Sequence, residues 1–343
     1  MKIDAYSSQK IKILSFWMIV MVVYVHSYYL ESETRAIPNF VQTVVSVITS
    51  VAVPLFYTIS GFLFFNGITS TKQCFPKIGK RARTLLVPYL IWNIFFVLWY
   101  VVLSYMPYVS QYINSDILSN YNSTLFNALY NLFIKPAGFH LWFLRDLILF
   151  ILVTPFLYVF IKKTKWIPFV IILLATGGMT RCWLSSFTLG STLALCYKDG
   201  LNIVTNKVII ISAILFYFIY SISSGFGIIP IEHAIVGNYI SQLSMLVFMV
   251  AIWGGYDMIV QKDYMPSKWF LCALDYSFFI YLFHEPAFNI VKKLGLKILG
   301  VGNVQLVVLY IVNPLIMVGI AVGVGCIFKC IMPKIYNVLT GGR

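Results

Sequence analysis

The sequence has 343 residues, of which 60% are hydrophobic and only 10% are charged. In soluble domains about a quarter of all residues are charged. This composition therefore excludes a soluble fold and predicts an all-α, polytopic bundle of membrane-spanning helices. The formal charge of +14 lies in short clusters between apolar runs, which argues against a nucleic-acid partner. The six cysteines show neither CxxC spacing nor a histidine pattern for zinc, so no metal site is expected.

Ten apolar runs follow one another along the chain, and each is a candidate transmembrane helix. They lie near 12–30, 41–65, 85–106, 141–161, 166–180, 182–197, 207–224, 239–257, 269–290 and 304–328. The polar segment from Pro107 to Gly138 is the one long loop, and a short helix is predicted near Leu125–Phe133. No repeat is visible and no polar stretch is long enough for a separate domain, so residues 1–343 are predicted to form a single membrane-embedded domain.

Lysines and arginines are distributed unequally between alternate loops. Of the 25, one set of loops holds 18 and the other set holds 6, with Arg145 inside an apolar run. Because cytoplasmic loops hold the excess of these residues, both termini are predicted to be cytoplasmic, in a bacterial cytoplasmic membrane. The cluster Lys292–Lys297 is the main exception, and an irregular or re-entrant ninth helix would account for it.

A few ionisable side chains lie inside the apolar runs, where each costs roughly 2.5–3.5 kcal/mol and is therefore a candidate for function. His26 lies near the outer end of the first run, at about four residues or ~6 Å from it. Arg145 and Asp146 lie near the outer end of the fourth run, and His284 and Glu285 near that of the ninth. Three distant segments thus place ionisable groups at one depth, which predicts a shared, outward-facing polar site.

A structural interpretation stays open for each of these groups. An interfacial His26 bonded to a loop carbonyl needs no catalytic role. Arg145 and Asp146 would have a purely structural role if they only neutralise other charges in the bundle. His284 and Glu285, which precede a proline, are also compatible with a helix end.

A second polar feature is the basic cluster of Lys77, Lys80, Arg81 and Arg83 ahead of the third run. Positive-inside anchoring explains such a loop by itself. Four cations within seven residues at a helix entrance also suit an anionic ligand on the cytoplasmic side, because arginine offers the bidentate geometry that phosphate prefers.

Five segments, in order along almost the whole chain, resemble the acyltransferase 3 family of bacterial integral membrane acyltransferases. The matching segments are Val22–Ser27, Pro54–Leu63, Lys80–Arg83 running into Pro88–Trp92, His140–Leu147 and Ser277–His284. The resemblance implies transfer of an acyl group, usually acetyl from acetyl-CoA, to a hydroxyl of a carbohydrate or lipid-linked acceptor in the cell envelope. No permanently bound cofactor is expected, and membrane lipids are the remaining partners.

The resemblance also implies functions for individual residues. The histidine matching His26 is catalytic in the family, and the arginines matching Arg81 and Arg83 are functionally important. Family members commonly carry an arginine eleven residues before that histidine, where this sequence has Ser15. Lys12, fourteen residues before His26, returns to nearly the same helix face and is a candidate substitute for that arginine. Lys80 of the basic cluster is a further candidate for donor binding.

These residues suggest a mechanism with two open routes. His26 acts as a general base on the acceptor hydroxyl or takes the acyl group itself. Arg145 stabilises an oxyanion or orients a carboxylate, and Asp146 or Glu285 holds a histidine in its useful tautomer.

Two other classes of function fit the same charges. In a transporter or flippase for an anionic or lipid-linked sugar, they would line a pathway. In a sensor descended from the enzyme, the domain would bind a partner instead. The absence of a repeat disfavours the transporter, and the intact histidine disfavours an inactive descendant.

Overall fold

The computed structural model describes residues 3–106, 124–177, 183–197, 205–229 and 235–342. Within these ranges the regular structure is entirely helical and includes no strand, which confirms the all-α prediction. The α-helices, numbered in chain order, are α1 Ala5–Val25, α2 Ala36–Thr49, α3 Ala52–Phe65, α4 Cys74–Arg81, α5 Val87–Ser104, α6 Leu125–Phe133, α7 Trp142–Leu152, α8 Thr154–Thr164, α9 Ile167–Thr176, α10 Leu184–Cys196, α11 Lys207–Gly225, α12 Ile235–Ile259, α13 Lys268–Leu274, α14 Ser277–Leu299, α15 Asn303–Ile331 and α16 Pro333–Leu339.

Side-chain caps set the beginnings of several helices. Asp4 precedes α1 and accepts a hydrogen bond from the Ser7 amide at 2.8 Å. Asn206 accepts one from the Val208 amide at 2.9 Å at the start of α11. Each cap satisfies an amide that has no partner within the helix.

Six helical segments in the described ranges are long and apolar enough to cross a membrane. They are Ala5–Val25, Ala36–Phe65, Thr71–Ser104, Lys207–Gly225, Ile235–Ile259 and Asn303–Ile331. The number becomes seven if Phe139–Leu152 and Thr154–Thr164 form one broken span. The predicted number of about ten spans and the cytoplasmic location of both termini stay predictions.

The predicted runs differ from the helices in their bounds. The sequence predicts the first run over 12–30, but α1 ends at Val25, so His26 caps the helix instead of lying one turn inside it. The fifth and sixth runs become α9 and α10, which have only 10 and 13 residues. The short helix predicted near Leu125–Phe133 is confirmed, with Thr124 as its cap. Arg181, Glu232, His233 and most of the long loop lie outside the described residues.

The ninth run divides into α13 and α14. Within α14 the backbone leaves the helical region at Glu285, where φ is −106° and ψ is 139°. A proline follows at 286, and proline removes an amide donor and crowds the preceding turn. This confirms the irregular ninth helix that the cluster Lys292–Lys297 predicted.

The chain divides into two compact units. The first comprises Met1–Gln73 and Pro155–Val322. In it α3 and α10 approach so closely that a Cβ on Gly190 would overlap the Thr58 carbonyl, and one on Gly61 would overlap the Phe187 carbonyl. Small residues permit such close helix crossings in membranes. The prediction of one membrane domain stays a prediction.

The second unit comprises Cys74–Thr154 and Gly323–Arg343. Asn93 of α5 is fully buried in this unit, and it joins the end of α6 to the segment that follows α6. The Asn93 amide nitrogen donates to Leu132 O at 2.8 Å, and its oxygen accepts from the Ala137 amide at 2.7 Å. These bonds fix the segment that leads into α7.

Candidate active site

His26 lies at the C-terminal end of α1, where its amide donates to Val23 O at 3.1 Å. Two neighbouring side chains attach this end of the helix to α15. The Tyr24 hydroxyl donates to Ile311 O at 2.7 Å, and the Ser27 hydroxyl donates to Tyr310 O at 3.0 Å. The backbone on both sides of His26 is therefore held by the first unit itself.

His284 of α14 brings a second imidazole to His26. The two ring centroids are 5.2 Å apart, with 37° between the ring planes. His284 is fully buried and His26 is partly buried. The structure thus brings together two of the residues that the sequence predicted for one site.

The hydrogen bonds of His284 assign its tautomer. Its Nδ1 lies 2.8 Å from Tyr281 O and 3.2 Å from Ile280 O, one turn earlier in the same helix. Carbonyl oxygens only accept, so Nδ1 carries the hydrogen and the neutral ring presents Nε2 as its basic nitrogen. Backbone carbonyls thus hold His284 in one tautomer, a role that the sequence analysis assigned to Asp146 or Glu285. That Asp146 or Glu285 holds the tautomer of His26 stays a prediction.

Beyond the break at Glu285, three polar residues lie at the spacing of one helix face. Glu285 is buried, and its Oε2 accepts a hydrogen bond from the Asn289 amide nitrogen at 2.9 Å. One turn further along, Lys292 Nζ donates to His26 O at 2.9 Å. His284 and Lys292 of α14 therefore both contact His26 where α1 ends, and Glu285 and Asn289 of the same helix bind each other.

Arg145 and Asp146 lie in α7 of the second unit and pair with each other. Arg145 Nε and Nη2 each lie 2.7 Å from Asp146 Oδ1, and Nη1 donates to Ile134 O at 2.7 Å. Both side chains are largely buried, with exposures of 25% and 17%. The prediction that these two residues share the site of His26 stays a prediction.

Three of the four predicted donor-binding cations lie in one continuous helical segment of the second unit. Lys80 and Arg81 end α4, and Arg83 lies in a wider π-helical turn, Ala82–Leu86, that continues into α5. Lys80 and Arg83 are exposed, while Arg81 is partly buried. Such π-helical turns are frequent at functional sites. The prediction that these cations bind the donor stays a prediction.

Lys12 is also an exposed cation, but it has an acidic partner. Its Nζ lies 2.7 Å from Asp275 Oδ1, and both side chains are about half exposed. An exposed ion pair contributes little to stability and exchanges readily with solvent. Its predicted role in donor binding stays a prediction.

Residues 10–330 match the family described as "Acyltransferase domain". The chain belongs to the acyltransferase 3 family. It is also similar to the succinoglycan biosynthesis protein ExoH of Rhizobium meliloti, with 23% identity over 372 aligned positions that cover 99% of this chain and 94% of the relative. No solved structure matches.

Membership in the acyltransferase 3 family, together with the apolar helices, identifies the chain as a multi-pass membrane protein of an acyltransferase family. This membership favours the acyltransferase interpretation over the transporter interpretation. The resemblance inferred from the sequence segments is confirmed.

Sequence reasoning missed Lys292 as a neighbour of His26 and Asn289 as the partner of Glu285. The signal was present in the spacing of Glu285, Asn289 and Lys292, which repeats at four and three residues and marks one helix face. It also missed Lys10, which is almost fully buried and pairs with Asp257 at 2.7 Å.

Proposed function

We propose that this chain is a membrane-bound O-acyltransferase that moves an acyl group, most simply acetyl from acetyl-CoA, to a hydroxyl of a cell-envelope carbohydrate or lipid-linked acceptor. The observation that carries the proposal is the packing of His26 against His284 at the end of α1. Membership in an acyltransferase family gives this histidine pair a reaction to perform.

In this proposal His26 is the general base. It accepts the proton of the acceptor hydroxyl while the hydroxyl oxygen attacks the thioester carbonyl. The new C–O bond forms, the C–S bond breaks, and the imidazolium returns the proton to the departing thiolate. His284, with its hydrogen fixed on Nδ1, supplies a second neutral imidazole beside the first. Transfer through an acyl-His26 intermediate would take two steps: a C–N bond to the imidazole forms as the C–S bond breaks, and the C–O bond to the acceptor then forms as the C–N bond breaks.

The donor in this proposal is held through its phosphates. Lys80, Arg81 and Arg83 form a basic segment with two exposed members. Guanidinium groups bind phosphate oxygens through paired, charge-assisted hydrogen bonds. The oxyanion role of Arg145 and the orienting role of Asp146 belong to the proposal as sequence-based assignments.

The acceptor class is the part of the proposal that the relative supports. The name of that relative places it in succinoglycan biosynthesis, and the alignment covers almost all of both chains. We therefore propose a cell-envelope polysaccharide, or its lipid-linked precursor, as the acceptor. The membrane in question is the bacterial cytoplasmic membrane.

Mass spectrometry of envelope glycans and lipids tests this function directly. Cells with and without the gene are compared, and the gene is then restored as the parent or as His26→Gln. We expect glycans or lipids of cells without the gene to lose mass increments of the size of an acetyl group. These increments should return when the parent gene is restored and should stay absent with His26→Gln. Identical acyl patterns in all four strains would contradict the proposed function.

A further inference from the structure

Lys292 has a position that its exposed neighbours on α14 do not share. Its Nζ donates to the backbone oxygen of His26 at 2.9 Å, and its side chain packs beside the Phe288 ring, whose centroid is 5.3 Å from Nζ. Lys292 is partly buried, whereas Lys297 is exposed. Membrane topology explains an exposed cation at a helix end, but it does not explain one directed at a single carbonyl.

The contact suits the end of α1 for two reasons. The last four carbonyls of a helix have no amide partner within it, and an ammonium group supplies a strong, charge-assisted donor. The helix dipole also places partial negative charge at this end, which favours a cation. Lys292 therefore stabilises the peptide unit that directly follows the Cα of His26.

That peptide unit helps to set the direction of the imidazole. The chain before and after it is already attached through Tyr24 and Ser27 to α15. The bond from Lys292 attaches His26 itself to α14, the helix that also carries His284. The helix α14 thus provides both the His284 ring and the Lys292 ammonium group that binds the backbone of His26.

We propose that Lys292 is a positioning residue that holds His26 in register with His284. This inference rests on the proposed function for its catalytic consequence, but the geometric role does not depend on it. Lys292 acts through His26 and does not take part in proton transfer.

The kinetic test compares Lys292→Met, Lys292→Arg and Lys297→Met in the full chain. Loss of the donor should lower kcat by roughly 10-fold to 100-fold, because displacing a reacting group by ~1 Å costs up to about 10²-fold. KM for the acyl donor should change little. Lys292→Arg keeps a charged donor and should restore most of kcat, while Lys297→Met should match the parent. A Lys292→Met enzyme with the kcat of Lys297→Met would overturn the proposal.

A second measurement does not need activity. Diethyl pyrocarbonate labels accessible, neutral imidazoles, and peptide mass spectrometry follows His26 alone at about pH 8, above an ordinary imidazole pKa of about 6.5. The reagent should label His26 several-fold faster in Lys292→Met than in the parent, and at the parent's rate in Lys297→Met. Lys292→Gln, a milder change, takes its place if the methionine variant fails to insert.

The two measurements separate the failure of each claim. Unchanged labelling of His26 in the Lys292 variant would overturn the positioning role whatever the activity. Faster labelling in a protein whose parent transfers no acyl group would support the positioning role and refute the proposed function.

Discussion

At the end of α1, His26 contacts partners far along the chain, whereas Arg145 in α7 contacts its own neighbours. Lys292 lies 266 positions from the residue whose carbonyl it binds. Arg145 pairs with the next residue and with Ile134, eleven positions earlier. Both regions contain charged or titratable groups within apolar helices, yet they are assembled in different ways.

The difference teaches how to interpret a polar residue in an apolar helix. A pair of adjacent opposite charges reduces the cost of its own burial and needs no further explanation. A second imidazole brought by a distant helix adds another polar group to be buried, which packing alone would not favour. Convergence over a long sequence separation is therefore the better sign of chemistry.

The largest expected effect is that of His26→Ala. The variant should insert and melt within a few degrees of the parent, because the end of α1 keeps its bonds through Tyr24 and Ser27. Acyl transfer should fall by about 10²-fold to 10⁴-fold, the usual contribution of a positioned general base. Thermal melting in detergent and an acyl-transfer assay on the same sample measure both. A variant that fails to insert while Lys297→Ala inserts normally would make His26 a structural residue.

A smaller effect on activity, and a larger one on stability, is expected for Arg145→Gln. The substitution leaves the Asp146 carboxylate without its partner, and the free energy of unfolding should fall by about 1–3 kcal/mol. Breaking a fully buried pair costs about 3–5 kcal/mol, and the expected loss is smaller because both side chains keep some exposure. Arg145→Gln combined with Asp146→Asn should recover part of that stability.

Activity of this double variant decides between the two interpretations of the pair. Recovery of stability and activity together would assign the pair a structural role. Recovery of stability without activity would support the catalytic roles predicted for Arg145 and Asp146. The region around Arg145 would then carry chemistry, as the end of α1 is proposed to do.

The smallest effect is expected for Arg81→Ala with Arg83→Ala. Loss of two phosphate-binding groups should weaken acetyl-CoA binding by roughly tenfold, and the remaining affinity should depend less on salt, because fewer charges contribute to it. Isothermal titration at two ionic strengths measures both. Lys162→Ala with Lys163→Ala, which removes two exposed cations elsewhere, is the matched control. Equal affinity in the two double variants would leave the arginines as topology signals.

Apolar runs predicted the fold class, because burial in lipid depends on composition and length along one segment. The short helix Leu125–Phe133 was predicted separately, within the polar segment between two of these runs. The apolar runs did not predict the division of the second run between Thr49 and Ala52, nor the end of α1 at Val25. Helix ends depend on a few backbone and capping contacts, which hydropathy does not record.

The candidate site was predictable only in part for a related reason. His26 and His284 were visible as rare ionisable groups, but their contact depends on the rotation and tilt of two helices. Lys292 was hidden because its cation looked like one of three in a cluster, and only the structure separates it from its exposed neighbours. Contacts between helices are set by packing that no single segment contains.

His26→Gln tests the central claim most directly, because glutamine keeps hydrogen bonding at this position but does not transfer a proton. Turnover of acetyl-CoA with a polysaccharide or lipid-linked acceptor is measured for the purified parent and the glutamine variant at equal, correctly inserted amounts. The account predicts that the glutamine variant is as inactive as His26→Ala. Turnover near that of the parent would make His26 a hydrogen-bonding residue and would contradict its role as the proton acceptor.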